Sequence, residues 1–127
     1  MANTFKVFSH DVLPASAGTP EALMTVQANT TTVVLGLILC NIHSASVTAS
    51  VKLSSDTVTT AGGVGDVAGT PVANTVTFLT KDVTIPSGSS LEILTGSKLI
   101  MQTTDSILID CSVADKLSCT LSVMEQT

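Results

Sequence analysis

Thr32-Val-Val-Leu-Gly-Leu-Ile-Leu-Cys-Asn-Ile42 is an apolar run that leads into the alternating segment Val47-Thr-Ala-Ser-Val-Lys-Leu53. In the second segment apolar and polar residues alternate with a period of two, which is typical of a strand with one face in water. The first segment is apolar at both parities, which indicates a strand covered on both faces or paired at its centre. With a turn at residues 41–45, the sequence predicts a β-hairpin over residues 32–53.

The end of the chain predicts a second hairpin. Residues 107–111 and 117–123 each carry apolar side chains at every second position. A three-residue loop at residues 114–116 would pair these strands antiparallel. That register would set Cys111 opposite Cys119 and Ile109 opposite Leu121.

Short strands separated by polar turns are predicted in most of the remaining chain. They lie at residues 5–8, 21–26, 75–80, 83–86, 91–94 and 99–101, and Pro86 marks an edge strand. No window has the apolar spacing of a helix. The sequence therefore predicts one all-β domain over residues 1–127, an antiparallel β-sandwich of jelly-roll or immunoglobulin-like type with about seven to nine strands. Its predicted core consists of Leu35, Leu37, Leu39, Val47, Val51, Phe78, Leu91, Ile93, Ile107, Ile109, Leu121 and Val123.

Charge and aromatic content argue against several classes of partner. The net charge is -5, and the only strong cations are five lysines scattered at positions 6, 52, 81, 98 and 116. Binding a phosphate backbone requires clustered cations, so we expect no direct contact with nucleic acid. Three Phe without Tyr or Trp leave little surface on which bases or sugars could stack, which disfavours a glycan-binding module.

The apolar segments predict neither membrane insertion nor secretion. No run approaches the about 20 residues that a membrane-spanning helix needs. The N-terminus, Met1-Ala-Asn-Thr-Phe-Lys-Val-Phe8, lacks a basic segment followed by an apolar one. We therefore expect the chain to fold in a cytosol, with Cys40, Cys111 and Cys119 as free, buried thiols without metal-type spacing.

Residue types that carry catalysis or bind metals form no motif. Asp105, Asp110 and Asp115 recur every five residues, but the outer two belong to turns at opposite ends of one predicted strand. They are too far apart to share a cation whose ligands lie within about 2.6 Å. His10 and His43 lie in predicted loops, and nucleophile and phosphate-binding motifs are absent. We expect a protein that is not an enzyme, with no catalytic residue, cofactor, metal or small-molecule substrate.

Six short phrases occur in a recognisable order along the chain. They are Asn29-Thr-Thr-Thr-Val-Val-Leu-Gly-Leu37, Asn41-Ile42 before a Ser/Ala-rich turn, Ile85-Pro-Ser-Gly-Ser-Ser-Leu91, Lys98-Leu-Ile-Met101, Thr104-Asp-Ser-Ile107 and Ser122-Val-Met-Glu125. Together they resemble small structural proteins of tailed phages, including virion structural proteins of marine phages. The resemblance covers residues 28–53 and 75–125, and the Gly- and Ala-rich residues 54–74 depart from it as a longer connection.

This resemblance implies a virion structural protein of a tailed phage, made in the host cytoplasm. We expect a capsid decoration (cement) protein on the capsid surface, which binds the major capsid protein lattice, other virion proteins and copies of itself. A neck or tail attachment protein is one alternative. A receptor- or glycan-binding module of a tail fibre is another, from a different functional class.

Two segments are expected to project from the sandwich: an N-terminal arm at residues 1–20 and a loop or hairpin at residues 54–74. Both are nearly uncharged and carry isolated apolar residues. Such segments can add a strand to an exposed sheet edge or fill a seam between neighbours. The alternative is two surface segments that bind nothing. The predicted partner-binding residues are Phe5, Phe8, Val12, Leu13, Val58, Val64 and Val67.

Overall fold

The computed structural model describes residues 2–55, 75–94 and 98–127, which contain nine β-strands. The strands are β1 (Asn3–Leu13), β2 (Glu21–Thr25), β3 (Thr31–Asn41), β4 (Val47–Ser55), β5 (Thr75–Ile85), β6 (Ser90–Ile93), β7 (Leu99–Met101), β8 (Ser106–Cys111) and β9 (Leu117–Gln126). No helix occurs in these ranges. The predicted all-β fold is confirmed.

The strands form two antiparallel sheets that pack as a sandwich. Sheet A has the order β1-β9-β3-β6, with β7 also paired to β3, and sheet B has the order β2-β8-β4-β5. Because β6 and β7 pair with successive parts of β3, they share one strand position. Each sheet thus has four positions, and most connections cross from one sheet to the other. This is the strand order of a jelly roll, so the sandwich prediction is confirmed in its jelly-roll form.

Both predicted hairpins are wrong. β3 and β4 follow one another along the chain but lie in different sheets, and so do β8 and β9. β3 pairs with β9 and β4 pairs with β8, which places Cys111 beside Ala49 and Cys119 beside Leu39. Alternation reports which side of a strand is apolar. It does not report the pairing partner, because that depends on contacts remote in sequence.

The core between the sheets contains most of the side chains predicted for it. The buried members are Leu37, Leu39, Val47, Val51, Ile107, Ile109, Leu121 and Val123. Leu91 and Ile93 pack against this core while partly buried. Leu35 and Phe78 were predicted wrongly, since they are 39% and 49% exposed on the outer faces.

A β-bulge explains the position of Leu35. Between Val34 and Gly36, β3 contains one more residue than its partner β9. The extra residue exchanges the two sides of the strand. Val34 therefore faces the core before the bulge and Leu37 faces it afterwards, whereas Leu35 points outward.

The pairing of β5 with β4 explains the position of Phe78. The pairing of β4 with β5 is interrupted twice between Ala49 and Lys52. After the second interruption, Phe78 is paired with Lys52. Lys52 lies on the outer parity of β4, because its neighbours Val51 and Ala49 are buried. Phe78 is consequently on the outer face of sheet B.

The N-terminal segment is part of the sheet, which corrects the expectation of a projecting arm. β1 runs antiparallel to β9 as the edge strand of sheet A, and Leu13 at its end is completely buried. Lys6 Nζ lies 2.7 Å from Glu125 Oε1 on β9. Pairing of this length stabilises β1 through a ladder of backbone hydrogen bonds. The second predicted projection, residues 54–74, begins with Ser54 and Ser55, which end β4. Its residues 56–74 lie outside the described residues.

Asn41 gives the recognisable Asn41-Ile42 phrase a structural role. Its side chain is completely buried. Its Nδ2 donates to the carbonyl oxygens of Ala45 at 3.0 Å and Ile85 at 2.9 Å, and its Oδ1 accepts from the His43 N–H at 2.8 Å. Because a buried amide must be satisfied, these three bonds fix the β3–β4 crossover to the end of β5.

Candidate interaction surface

The outer face of sheet A carries a continuous row of apolar side chains. Phe5 pairs with Met124, Met124 with Val33, and Val33 with Ile100, so the row crosses four neighbouring strands. Phe5 is 73% exposed, and its neighbour on the same side of β1, Val7, is 65% exposed. Cross-strand neighbours on one face lie about 5 Å apart, which makes the row a single apolar strip.

The rest of this surface is uncharged except for Glu92. Val7 pairs with Ser122, while Ile38 pairs with Thr120 on one side and Glu92 on the other. We call this surface the A face; its members are Phe5, Val7, Val33, Leu35, Ile38, Glu92, Ile100, Thr120, Ser122 and Met124. Among these members Glu92 is the single charged residue.

A hollow of about 250 Å³ opens on the A face at the β3 bulge. It is lined by Leu35, Gly36, Leu37, Ile38, Glu92, Ile93, Thr120 and Ser122. Gly36 contributes no side chain, and a Cβ at this position would meet no heavy atom within 4 Å. The hollow lies beside the part of β3 between its pairing with β6 and its pairing with β7.

The outer face of sheet B, the B face, carries polar groups that bind one another beside the exposed Val76 and Phe78. Ser50 Oγ accepts from the Asp82 N–H at 2.9 Å and donates to Asp82 Oδ1 at 3.3 Å. The ammonium groups of Lys52 and Lys81 lie 4.8 and 5.2 Å from the centroid of the Phe78 ring. These two lysines, which are remote in sequence, both contact one aromatic ring.

The predicted partner-binding residues are dispersed. Phe5 is exposed on the A face, and Phe8 and Val12 are half-buried. Leu13 is corrected: a completely buried side chain is not available to a partner. The predicted residues Val58, Val64 and Val67 lie outside the described part of the chain.

Sequence reasoning predicted Phe5 alone among the members of the A face, and it missed four other large hydrophobic side chains that are exposed there. They are Val7, Leu35, Ile38 and Ile100. The signal that could have found two of them was present in β3, where both parities are apolar. That pattern indicated a strand with two apolar sides, but it did not show that the second side is a surface.

The cysteines are free thiols in two different environments. Cys40 is half-buried, whereas Cys111 and Cys119 are buried between the sheets. Burial, reinforced by the nearby Cys111, raises the pKa of Cys119 to about 12. A thiol that stays protonated is a weak nucleophile, so Cys119 is part of the core rather than a reactive centre.

The remaining polar candidates are separate from one another. His10 Nδ1 lies 3.6 Å from Asp11 Oδ1 on the exposed bulge of β1, and Asp105 is buried and accepts from the Gln102 N–H at 3.0 Å. Residues 2–55, 75–94 and 98–127 contain no group of three His, Cys, Asp or Glu side chains placed to hold a metal ion. No helix in these ranges is long and apolar enough to span a membrane.

Comparison with known proteins finds similarity in structure rather than in sequence. No protein-family model matches the chain, and no curated protein matches it. A chain of the T13 IBDV viral particle superposes with a TM-score of 0.52 at 12% identity, covering 97% of this chain and 30% of that one. At this identity the match shows a shared fold, and it extends over the whole sandwich.

Two further structural matches have lower TM-scores. A protein of Bacillus endospore appendages, a family of disulfide-linked pili, gives a TM-score of 0.44 at 12% identity, covering 99% of this chain and 87% of that one. Infectious bursal virus derived T=1 particles give 0.25 at 12% identity, with 98% and 39% covered. The chain thus spans less than a third of the viral chain that it matches with the highest of these scores.

Proposed function

We propose that this chain is a non-enzymatic structural component of a virus particle. The observation that carries the proposal is the jelly-roll strand order, together with a structural likeness to a chain of the T13 IBDV viral particle over 97% of this chain. A fold by itself hosts many functions, so the surface has to agree with it. The A face supports the proposal, because contiguous exposed apolar patches mark sites of protein interaction.

The sequence phrases support a more specific proposal. Their resemblance to structural proteins of tailed phages favours a capsid decoration protein on the capsid surface, made in the host cytoplasm. Its partners would then be the major capsid protein lattice, other virion proteins and copies of itself. Phe5 stays within the proposed interaction surface, with Phe8 and Val12 at the side of the same edge strand.

Copy number in purified particles tests this role. Particles are separated by density gradient, and the chain is quantified against the major capsid protein by mass spectrometry with labelled reference peptides. A decoration protein should be present in copies on the order of hundreds, because icosahedral symmetry multiplies each lattice site. A few or dozens of copies would indicate a neck, tail or fibre protein instead. Absence from purified particles would contradict the virion role.

A deletion tests the proposal that residues 54–74 form an interface. Removing residues 62–69 leaves both flanking strands, β4 and β5, complete. We expect the shortened chain to fold and to join particles at reduced occupancy. Normal occupancy would show that this connection is not part of the interface.

A further inference from the structure

We propose that Lys6 prevents strands of other chains from pairing with the outer edge of β1, the edge strand of sheet A. In this role Lys6 determines which contacts the chain avoids. A partner then binds the faces or loops of the sandwich, and sheet A is not extended beyond β1. The inference goes beyond the proposed function, because it concerns the isolated chain and is tested without a particle.

The outer edge of β1 is the longest regular sheet edge in the described residues. Asn3 to His10 pair with β9 without interruption, and no described strand lies on the other side of β1. Such an edge presents a row of unpaired N–H and C=O groups, which is a template for a strand of another chain. Phe5 and Val7 add exposed apolar side chains to this strand. Without a protecting feature, β1 would be the preferred site of edge-to-edge association.

The other sheet edges that the structure describes are short or interrupted. β6 and β7 have four and three residues, and β2 has five with a register shift between Ala22 and Met24. β5 is longer, but its pairing with β4 is interrupted twice, and the charged Lys81 and Asp82 lie at the interruption. Short edge strands, bulges and charges are features that prevent edge-to-edge pairing. A long, regular edge such as β1 requires a different feature.

Lys6 supplies this feature as a charged residue on the inward side of β1. It pairs with Val123, which is buried, and paired residues of antiparallel strands share a face. Its Nζ lies 2.7 Å from Glu125 Oε1 on β9, while 43% of the Lys6 side chain stays exposed. A strand added at the outer edge would cover part of this exposed surface and remove water from the ammonium group. Inward-pointing charges protect edge strands for this reason.

The ion pair with Glu125 gives Lys6 a structural role, which is the alternative to this proposal. If Lys6 acts only through the pair, breaking the pair from either side should have the same effect on association. If Lys6 protects the edge, association should depend on the charge at position 6. The two roles are therefore distinguished by changing the two partners separately.

Three variants make this distinction. Lys6→Val removes the charge from the edge, and Glu125→Gln breaks the ion pair but keeps the Lys6 charge. The double variant leaves no buried carboxylate without a partner and keeps the net charge of -5. Sedimentation velocity over about 10 μM to 1 mM measures the association constant of each chain.

We expect association to follow position 6. Lys6→Val and the double variant should associate at least about tenfold more tightly than wild type, because no ammonium group has to be desolvated. Glu125→Gln should change the association constant less than about twofold. Lys116→Val, in the loop before β9, is the control for the loss of one positive charge and should also change it less than about twofold.

Hydrogen exchange locates the association on the molecule. In the double variant the amide protons of β1 should exchange more slowly as the concentration rises, because an added strand accepts hydrogen bonds from them. Circular dichroism verifies that each variant is folded. A double variant that associates no more than wild type up to about 1 mM would overturn the proposal. Association without slower exchange in β1, or an equal effect of Glu125→Gln or Lys116→Val, would overturn it as well.

Discussion

Phe5 on sheet A and Phe78 on sheet B are both exposed phenylalanines, but their surroundings differ. Two lysine ammonium groups lie within 5.2 Å of the Phe78 ring centroid, whereas Phe5 is followed across the sheet by Met124 and then Val33. Cations of its own chain already contact the Phe78 ring, although this side chain stays 49% exposed. A ring at the end of an apolar row loses its contact with water only when another molecule covers it.

The same contrast holds for the polar groups of the two faces. On the B face, Ser50 and Asp82 satisfy each other through two hydrogen bonds, and Ser112 Oγ accepts from the Thr48 N–H at 3.0 Å. On the A face, Ser122 and Thr120 lie at the margin of the hollow beside apolar neighbours. The polar groups of the B face are thus satisfied within the chain, whereas the A face presents apolar side chains suited to a partner.

The largest expected effect tests which side of sheet A is the inside. Leu37→Ala should lower the free energy of unfolding by about 2 to 5 kcal/mol, because it leaves a cavity in the core. Leu35→Ala, on the other side of the same bulge, should cost less than about 1 kcal/mol. Urea unfolding of both variants measures the difference. Equal losses would show that the bulge does not separate the two sides.

The next effect concerns the interior where the two sheets meet. Cys119 of sheet A lies near Cys111 of sheet B, and burial raises the pKa of Cys119 from 9.0 to about 12. Between these values the unfolded thiol loses its proton while the folded thiol keeps it, so rising pH favours the unfolded chain. This contribution to stability is complete below pH 9 and should fall by about 1.4 kcal/mol per pH unit above it. Urea unfolding of wild type and Cys119→Ala at several alkaline pH values should show a shallower decline for the variant; parallel declines would contradict the assignment.

A smaller effect on stability is expected from the ion pair between Lys6 and Glu125, which lies on the side of sheet A opposite the A face. Glu125 is 6% exposed and Lys6 43% exposed at a separation of 2.7 Å. Lys6→Met should lower the free energy of unfolding by about 1 kcal/mol, because it leaves the buried carboxylate of Glu125 without its partner. The loss stays small because the Lys6 ammonium is itself partly exposed to solvent. Lys116→Met is the control, because no ion pair of Lys116 occurs among the described residues. Equal unfolding free energies for the two variants would contradict this role of Lys6.

The smallest expected effect comes from a double substitution that makes the B face resemble the A face. Replacing Lys52 and Lys81 together by Met removes both ammonium groups from the Phe78 ring. We expect a loss of about 0.5 to 1 kcal/mol, the usual size of exposed cation–π contacts. A double-mutant cycle with Phe78→Leu isolates the coupling from the change in net charge. A coupling of zero would mean that the lysines do not shield the ring.

The strands that the sequence predicts best are those with strict alternation. In β4, β8 and β9 the apolar parity is the buried parity: Val47 and Val51, Ile107 and Ile109, Leu121 and Val123 all lie in the core. Successive side chains of a strand point to opposite sides, so alternation in the sequence becomes an inside and an outside without further information. The class of fold follows from the same local rule.

The prediction for Leu35 was wrong because one residue changed the register. Leu35 follows the parity of Leu37 and Leu39 in the sequence, but the bulge in β3 turns it outward. A one-residue shift exchanges the two sides of a strand. A bulge forms where one of two paired strands has an extra residue. The sequence of one strand alone does not show whether its partner lacks that residue.

The candidate surface depended even more on the tertiary structure. Local sequence determined that Phe5, Val33 and Ile100 belong to strands, because their apolar side chains recur with a period of two. That they form one row was decided by β9, which inserts between β1 and β3 and brings Met124 into line with both. The contacts of this row join residues about 70 to 120 positions apart, and such pairing is set by the packing of the whole sandwich rather than by any single segment.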